Sequence, residues 1–154
     1  MQENPMPNPA PVNAAPVNAA PITPLHTDYK LWKLIVFGIL TFGIYDIVIF
    51  TSMANALNTA CGNQNEPRTM HFCLLIFLIA PITMGIGALV WYHRFSARVG
   101  RELARRGITN IQFGAGTYWG WAFLGSFIVV GPFIYCYKLM EAMNAIDADY
   151  NARG

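Results

Sequence analysis

The side chains able to do chemistry in this sequence are few and scattered. Asp46 is the one carboxylate well inside a long apolar run, within TFGIYDIVIF. A carboxylate there is expensive, and it implies an ion or proton path, a buried ion pair, or a protonated or hydrogen-bonded structural group. Lys138 is the cation nearest in depth, and the structural role is the expectation. Cys61, Cys73 and Cys136 form no C-x-x-C and no Cys/His cluster, so no metal site is expected. Their odd count and wide spacing make no disulfide framework. Free thiols are expected, with a Cys73–Cys136 bridge as the one conceivable pairing. His71 and His93 fall at opposite ends of one apolar run and cannot share a ligand sphere. No H-E-x-x-H, nucleophile elbow, Walker loop or G-x-G-x-x-G occurs. No catalytic residue, no cofactor and no enzyme activity are therefore expected.

The arginines, by contrast, are concentrated. In HRFSARVGRELARRG, from His93 to Gly107, Phe95, Val99 and Leu103 recur every four residues, and Arg94, Arg98, Arg101 and Arg105 fall on an adjacent face. This spacing predicts a basic amphipathic helix over 93–107 with Gly107 as its C-cap. Its four arginines suit the headgroups of anionic lipid. The basic face is too short, and the net charge of +2 too small, for nucleic acid to be the partner.

The elements that must carry these residues follow from composition. Hydrophobic residues make up 55% of the 154 and charged residues 12%, with a mean hydropathy of +0.36. Soluble domains run nearer about 45–50% and about 25%. That excludes a cytosolic enzyme, a secreted disulfide scaffold and a wholly disordered chain, and leaves a small integral membrane protein. Three apolar runs, about 31–53, 70–92 and 117–140, each exceed the ~20 residues that cross ~30 Å of hydrocarbon as a helix. The expected fold class is all-α, a helical membrane protein with three transmembrane spans. Pro81 and Pro132 mark where a span could break into two short pieces.

Five arginines between the second and third runs, against Arg68 alone between the first and second, put the 93–116 loop on the cytoplasmic side. Lys30 and Lys33 then lie inside as well, which makes the N-terminus cytoplasmic and the C-terminus external. Trp32, Trp91, Trp119 and Trp121 all fall at the run ends assigned to that one interface. The opposite interface has only Tyr135 and Tyr137.

The first 28 residues hold seven of the ten prolines, no Lys or Arg, and a tandem PVNAA at 11–20. This composition predicts a disordered, partly polyproline-II tail rather than a signal peptide. An internal echo is also present. Shifted by 42 residues, Thr41, Gly43 and Ile44 match Thr83, Gly85 and Ile86. In spans of opposite direction the pair would be an inverted repeat, which points either to a midplane substrate site or to close helix packing. Packing is the favoured reading. Gly116 and Gly120 form a G-x-x-x-G and make the same packing case.

Several segments carry a resemblance. TFGIYD at 41–46, TMHFCLLIF at 69–77 and PITMGIGALVWYHRFSARVGRELARRGI at 81–108 resemble a bacterial membrane family, domain of unknown function 4234. So do FGAGTYWGW at 113–121, GSFIVVGPFIYCYKLMEAMN at 125–144 and DYN at 149–151. The resemblance covers roughly residues 30–151. It implies a multi-pass protein of the bacterial plasma membrane and carries no catalytic or binding residues with it. Asp46 follows the T-x-G-I-Y element, where a small or apolar residue is expected as often as an acid. The expected function is a non-enzymatic membrane assembly or interaction protein. Its expected partners are anionic lipid and either its own copies or another membrane protein. The alternative is a subunit of an oligomeric small transporter or channel, because three helices enclose no roomy path alone.

Overall fold

The computed structural model describes residues 24–62 and 67–153. Among these residues the fold is all helical, with no strand. The expected tail lies outside the described residues up to residue 23.

Each apolar run expected as one span is instead two antiparallel helices. α1 (Leu31–Leu40) turns back into α2 (Ile44–Ala60). α3 runs over 72–82, α-helical at its ends with π geometry over Leu75–Ile79, and turns back into α4 (Ile86–Arg105). α5 covers 115–128, passing from α through π to 3-10 geometry, and turns back into α6 (Gly131–Arg153). None of these helices is long and apolar enough to cross a membrane.

The first two bends show what the echo in the sequence encodes. Thr41 Oγ1 donates to the Phe37 carbonyl (2.6 Å) and accepts from the Tyr45 N–H (2.9 Å). Thr83 Oγ1 does the same with Ile79 (2.7 Å) and Gly87 (2.9 Å). The Gly43 N–H reaches Gly38 O at 2.7 Å, and the Gly85 N–H reaches Ala80 O at 2.8 Å. Phe42 and Gly43 have φ of 52° and 85°; Met84 and Gly85 have 50° and 89°. Two successive left-handed residues reverse the chain, and a glycine takes the second position because it has no Cβ to clash. The prolines do not make the breaks. Pro81 sits at the start of the last turn of α3, two residues before Thr83, and the third bend, at Val129 (φ 61°), precedes Pro132.

The bends all lie at one end of the bundle. Phe50 and Tyr92 stand eight residues after Phe42 and Met84, and their rings meet edge to face at 5.8 Å. Tyr92 also meets Tyr118 (5.9 Å) and Tyr135 (6.4 Å) on the two helices of the third hairpin. The hairpins are therefore parallel copies and not an inverted repeat. At the other end the Arg105 and Arg106 guanidiniums both donate to Ala60 O, at 3.3 and 2.8 Å. The alternating crossing expected from the sequence would hold Ala60 and Arg106 at opposite ends. That arrangement is corrected.

Below the bends, α2, α4 and α6 share a core of Met53, Leu57, Phe95, Val99, Leu139, Met143 and Ile146, each almost wholly excluded from solvent. Phe95, Val99 and Leu103 form the buried stripe that their spacing predicts. Gly107 ends α4 with φ 72°, and the Ile108 N–H closes back on Leu103 O at 2.9 Å.

The last residues of the expected tail are ordered. The Asn144 side chain pairs with both backbone groups of Tyr29 (2.9 and 3.0 Å), and Asn151 with both of Leu25 (2.7 and 2.8 Å). The two asparagines of the AMN…DYN ending thus hold a strap over 25–29 against α6. A side-chain amide matches a backbone N–H and C=O as an adjacent strand would.

Candidate functional site

Two surfaces stand out, one at each end of the bundle. The bend end is a cap of uncovered apolar side chains. Phe42 is 98% exposed, Met84 93% and Phe127 84%. Ile39, Leu40, Ile44, Ile82, Ile86, Ile128 and Val129 surround them, all largely exposed. Single exposed apolar residues are ordinary, but bends of three separate hairpins gathered at one end expose far more apolar surface than that.

The other end is polar and closed by ion pairs. Glu102 is 2% exposed and accepts from Arg105 and Arg106, the latter at 2.6 Å. Arg106 reaches Asp149 at 2.8 Å, and Asp149 also pairs with Arg153. Burial works to raise the Glu102 carboxyl, but the bonds from Arg105 and Arg106 outweigh it and hold the group below its ordinary range. Cys61 lies against Glu102, its Sγ 3.6 Å from Oε2, and burial followed by that charge pushes the thiol up to about 11. All three cysteines are free, and Cys73 meets Thr51 Oγ1 rather than Cys136.

The four arginines of the amphipathic helix do not act together. Arg98 is buried and donates to Asn58 Oδ1 (2.6 Å) and Thr69 Oγ1 (2.7 Å), tying α4 to α2 and to the segment before α3. Arg105 is turned onto Glu102. Arg98 is thus an internal tie and not a headgroup contact, which corrects that member of the expected set, whereas Arg105 stays exposed with Glu102 as its partner. Arg94 and Arg101 are exposed. Helical spacing alone misses this split, because the partners Asn58, Thr69 and Ala60 come from elements remote in sequence.

Gly116 and Gly120 have open space where a Cβ would stand, so they pack against nothing. The close approach belongs to Gly125 and Gly131, where a Cβ on Gly125 would lie 2.8 Å from the Gly131 Cα across the third bend. The G-x-x-x-G reading is corrected accordingly.

Asp46 sits three residues past Gly43, against α1. A Cβ on Gly38 would lie 2.7 Å from both of its carboxylate oxygens. Asp46 Oδ1 is buried with no hydrogen-bond partner, and no ion pair with Lys138 forms among the described residues. The carboxyl group occupies the notch that Gly38 leaves. Gly38→Ala should therefore cost about 1–3 kcal/mol by overpacking. Adding Asp46→Ala should recover most of that loss in a double-mutant melting series. Simple additivity of the two losses would show that Asp46 is not seated there.

Asp147 escapes sequence reasoning, since AIDADYN reads as an exposed helix end. It is fully buried, between the two strap-holding asparagines on one face of α6, and neither carboxylate oxygen has a hydrogen-bond partner. Burial pushes its carboxyl up to about 7, against a smaller downward pull from Arg106. A raised acid binds more protons folded than unfolded. Its stability contribution is full below pH about 4 and is lost as pH rises toward about 7. The loss is at most roughly 4 kcal/mol. Glu102 and Asp149, both lowered, act in the opposite sense and only below pH about 4.5. Denaturant midpoints should therefore fall between pH 5 and 7.5, and Asp147→Asn should flatten that slope.

Three parallel helical hairpins with uncovered bends and an ion-paired base define the class of this protein. Residues 29–101 match the family described as Domain of unknown function (DUF4234). The matched segment holds the two hairpins with the T-x-G bend and ends within α4, before the third hairpin. No curated protein and no solved structure matches the chain. Among the described residues no His, Cys, Asp or Glu cluster of metal-binding kind occurs.

Proposed function

We propose that this is a membrane-seated, non-enzymatic assembly or interaction protein of the bacterial plasma membrane. Its three hairpins enter one leaflet from the cytoplasmic side, and its base meets anionic lipid. The observation that carries the reading is the single apolar cap formed by all three bends. Irregular, bent backbone is tolerated in hydrocarbon only where its polar groups are satisfied internally, as the two threonines do here.

The depth of the aromatics supports the same placement. Trp32 lies ten residues before Phe42, and Trp119 ten before Val129. At about 1.5 Å per residue that is roughly 15 Å, half of a ~30 Å core. Both indoles are exposed, as interfacial tryptophans are. A single interface accounts for the one-sided clustering of tryptophan that the sequence shows. Arg94 stands ten residues beyond Met84, at the same level, and the remaining arginines lie further toward the base. Basic residues collected on one side favour a cytoplasmic base with both chain ends on that side.

Single-cysteine labelling in intact cells tests the reading. With Cys61, Cys73 and Cys136 replaced by Ala, cysteines at Pro67, Asn110 and Ala152 should all be protected from an impermeant thiol reagent and all react after permeabilisation. Labelling of position 67 with protection of position 110 would restore the three-span arrangement and defeat the hairpin one.

A further inference from the structure

An open cleft of about 560 Å³ runs along α4, faced by the 67–70 segment at one end and by Ile79 and Thr83 at the other. Its volume lies in the roughly 300–1,000 Å³ range of small-molecule pockets. Its polarity changes along its length. Toward the bends it is lined by Ile79, Thr83, Ile86 and Val90; toward the base it is lined by Arg68, Arg94, Arg98 and Arg101. On α4 this stripe spans 86–101, about 22 Å of helix. No described residue lining the cleft is acidic.

The basic end is a built wall. The Trp91 Nε1–H donates to Met70 O at 3.0 Å, and Arg98 holds Thr69, so the segment that carries Arg68 is pinned beside α4. Arg68 and Arg94 are exposed and make no ion pair among the described residues. His93, on the same wall, accepts the Trp119 indole N–H on Nδ1 at 3.0 Å, which leaves Nε2 as its remaining donor.

We infer that this cleft seats one anionic phospholipid, with its phosphodiester between Arg68 and Arg94 and one acyl chain along Ile79, Ile86 and Val90. The inference rests on the leaflet placement proposed above and deepens it, from general contact with anionic lipid to one bound molecule. The chemistry matches at both ends. Guanidinium pairs with phosphate oxygens in charge-assisted hydrogen bonds, and the apolar half of the cleft faces the depth at which chains lie.

Full-length protein in mild detergent, titrated with palmitoyl-oleoyl phosphatidylglycerol or phosphatidylcholine and read by native mass spectrometry, tests this. One phosphatidylglycerol per chain should be retained, and phosphatidylcholine should not. Arg68→Gln with Arg94→Gln should weaken retention roughly tenfold or more, since each basic residue near an anionic group matters about fivefold. Val90→Trp should block the chain end, and because Val90 is half exposed the larger side chain has room without disturbing the core. Equal retention of the two lipids, or retention unchanged in the Arg68/Arg94 variant, would overturn the inference. Displacement by millimolar glycerol phosphate would assign the arginines to a soluble phosphate compound and overturn the lipid. Flotation of the wild type with phosphatidylcholine/phosphatidylglycerol vesicles separates the two levels. A protein that floats but holds no lipid defeats the cleft alone, and one that does not float defeats the leaflet placement along with it.

Discussion

Replacing Phe42, Met84 and Val129 together by Asp should release the protein from vesicles without unfolding it. Each of the three is at the outermost point of its bend and largely exposed, so none contributes to the core. Phe42 and Met84 also have positive φ, which Asp adopts more readily than Phe or Met, whereas Val129, with φ 61° and ψ −40°, lies outside the left-handed helical region. The fold should be little changed. Membrane insertion should suffer heavily, because an Asp near the bilayer centre costs about 3 kcal/mol, or roughly 9 kcal/mol for three. A co-flotation assay should show the triple variant left in the soluble fraction, with its helical circular dichroism and melting temperature retained. Single variants should show graded losses. Full flotation of the triple variant would mean that the bends do not enter lipid.

The second large effect is expected at the opposite end. Glu102→Ala should destabilise the protein by about 1.5–3 kcal/mol, because the buried Arg106 loses its nearer carboxylate and keeps only Asp149. Domains are stable by only about 5–15 kcal/mol, so this is a large share of the total. Removing both charges in Glu102→Leu with Arg106→Leu should recover much of the loss, because a desolvated pair is often replaced by apolar packing at little cost. Asp149 keeps Arg153 as a partner in that double variant. Thermal melts of the single and double variants decide the matter. Equal losses in the two would show that the pair contributes through hydrogen bonds to Ala60 and not through charge balance.

The two variants probe surfaces of different legibility. That the chain is helical, that it has three apolar segments, and that Phe95, Val99 and Leu103 face a core under a Gly107 cap were all determined by periodicity within one element. Side-chain preference over a window of residues records these properties, because they depend only on spacing of about 3.6.

Chain direction leaves no such record. Hydropathy summed over 31–53 or 70–92 is the same whether the chain goes straight on or folds back at Thr-x-Gly, so three spans and three hairpins look alike. What decides between them is contact between residues far apart in sequence: Phe50 on Tyr92, Tyr92 on Tyr135, and Arg106 on Ala60. Those contacts offset the positive φ of Phe42 and Met84. The echo at 41–44 and 83–86 was visible, but the choice between two helices packed closely and one helix turned back needed the hydrogen bonds of Thr41 and Thr83. The same holds for charge. Arg94 and Arg98 are alike by spacing, and only the placement of Asn58 and Thr69 turns Arg98 inward. Asp147 and the strap over 25–29 are decided entirely by tertiary structure, since Asn144 and Asn151 bind a backbone more than a hundred residues away. A sequence determines what each stretch of chain prefers locally. The direction in which a bend sends it, and which of several equivalent polar groups is buried, depend on partners that exist only once the hairpins have packed.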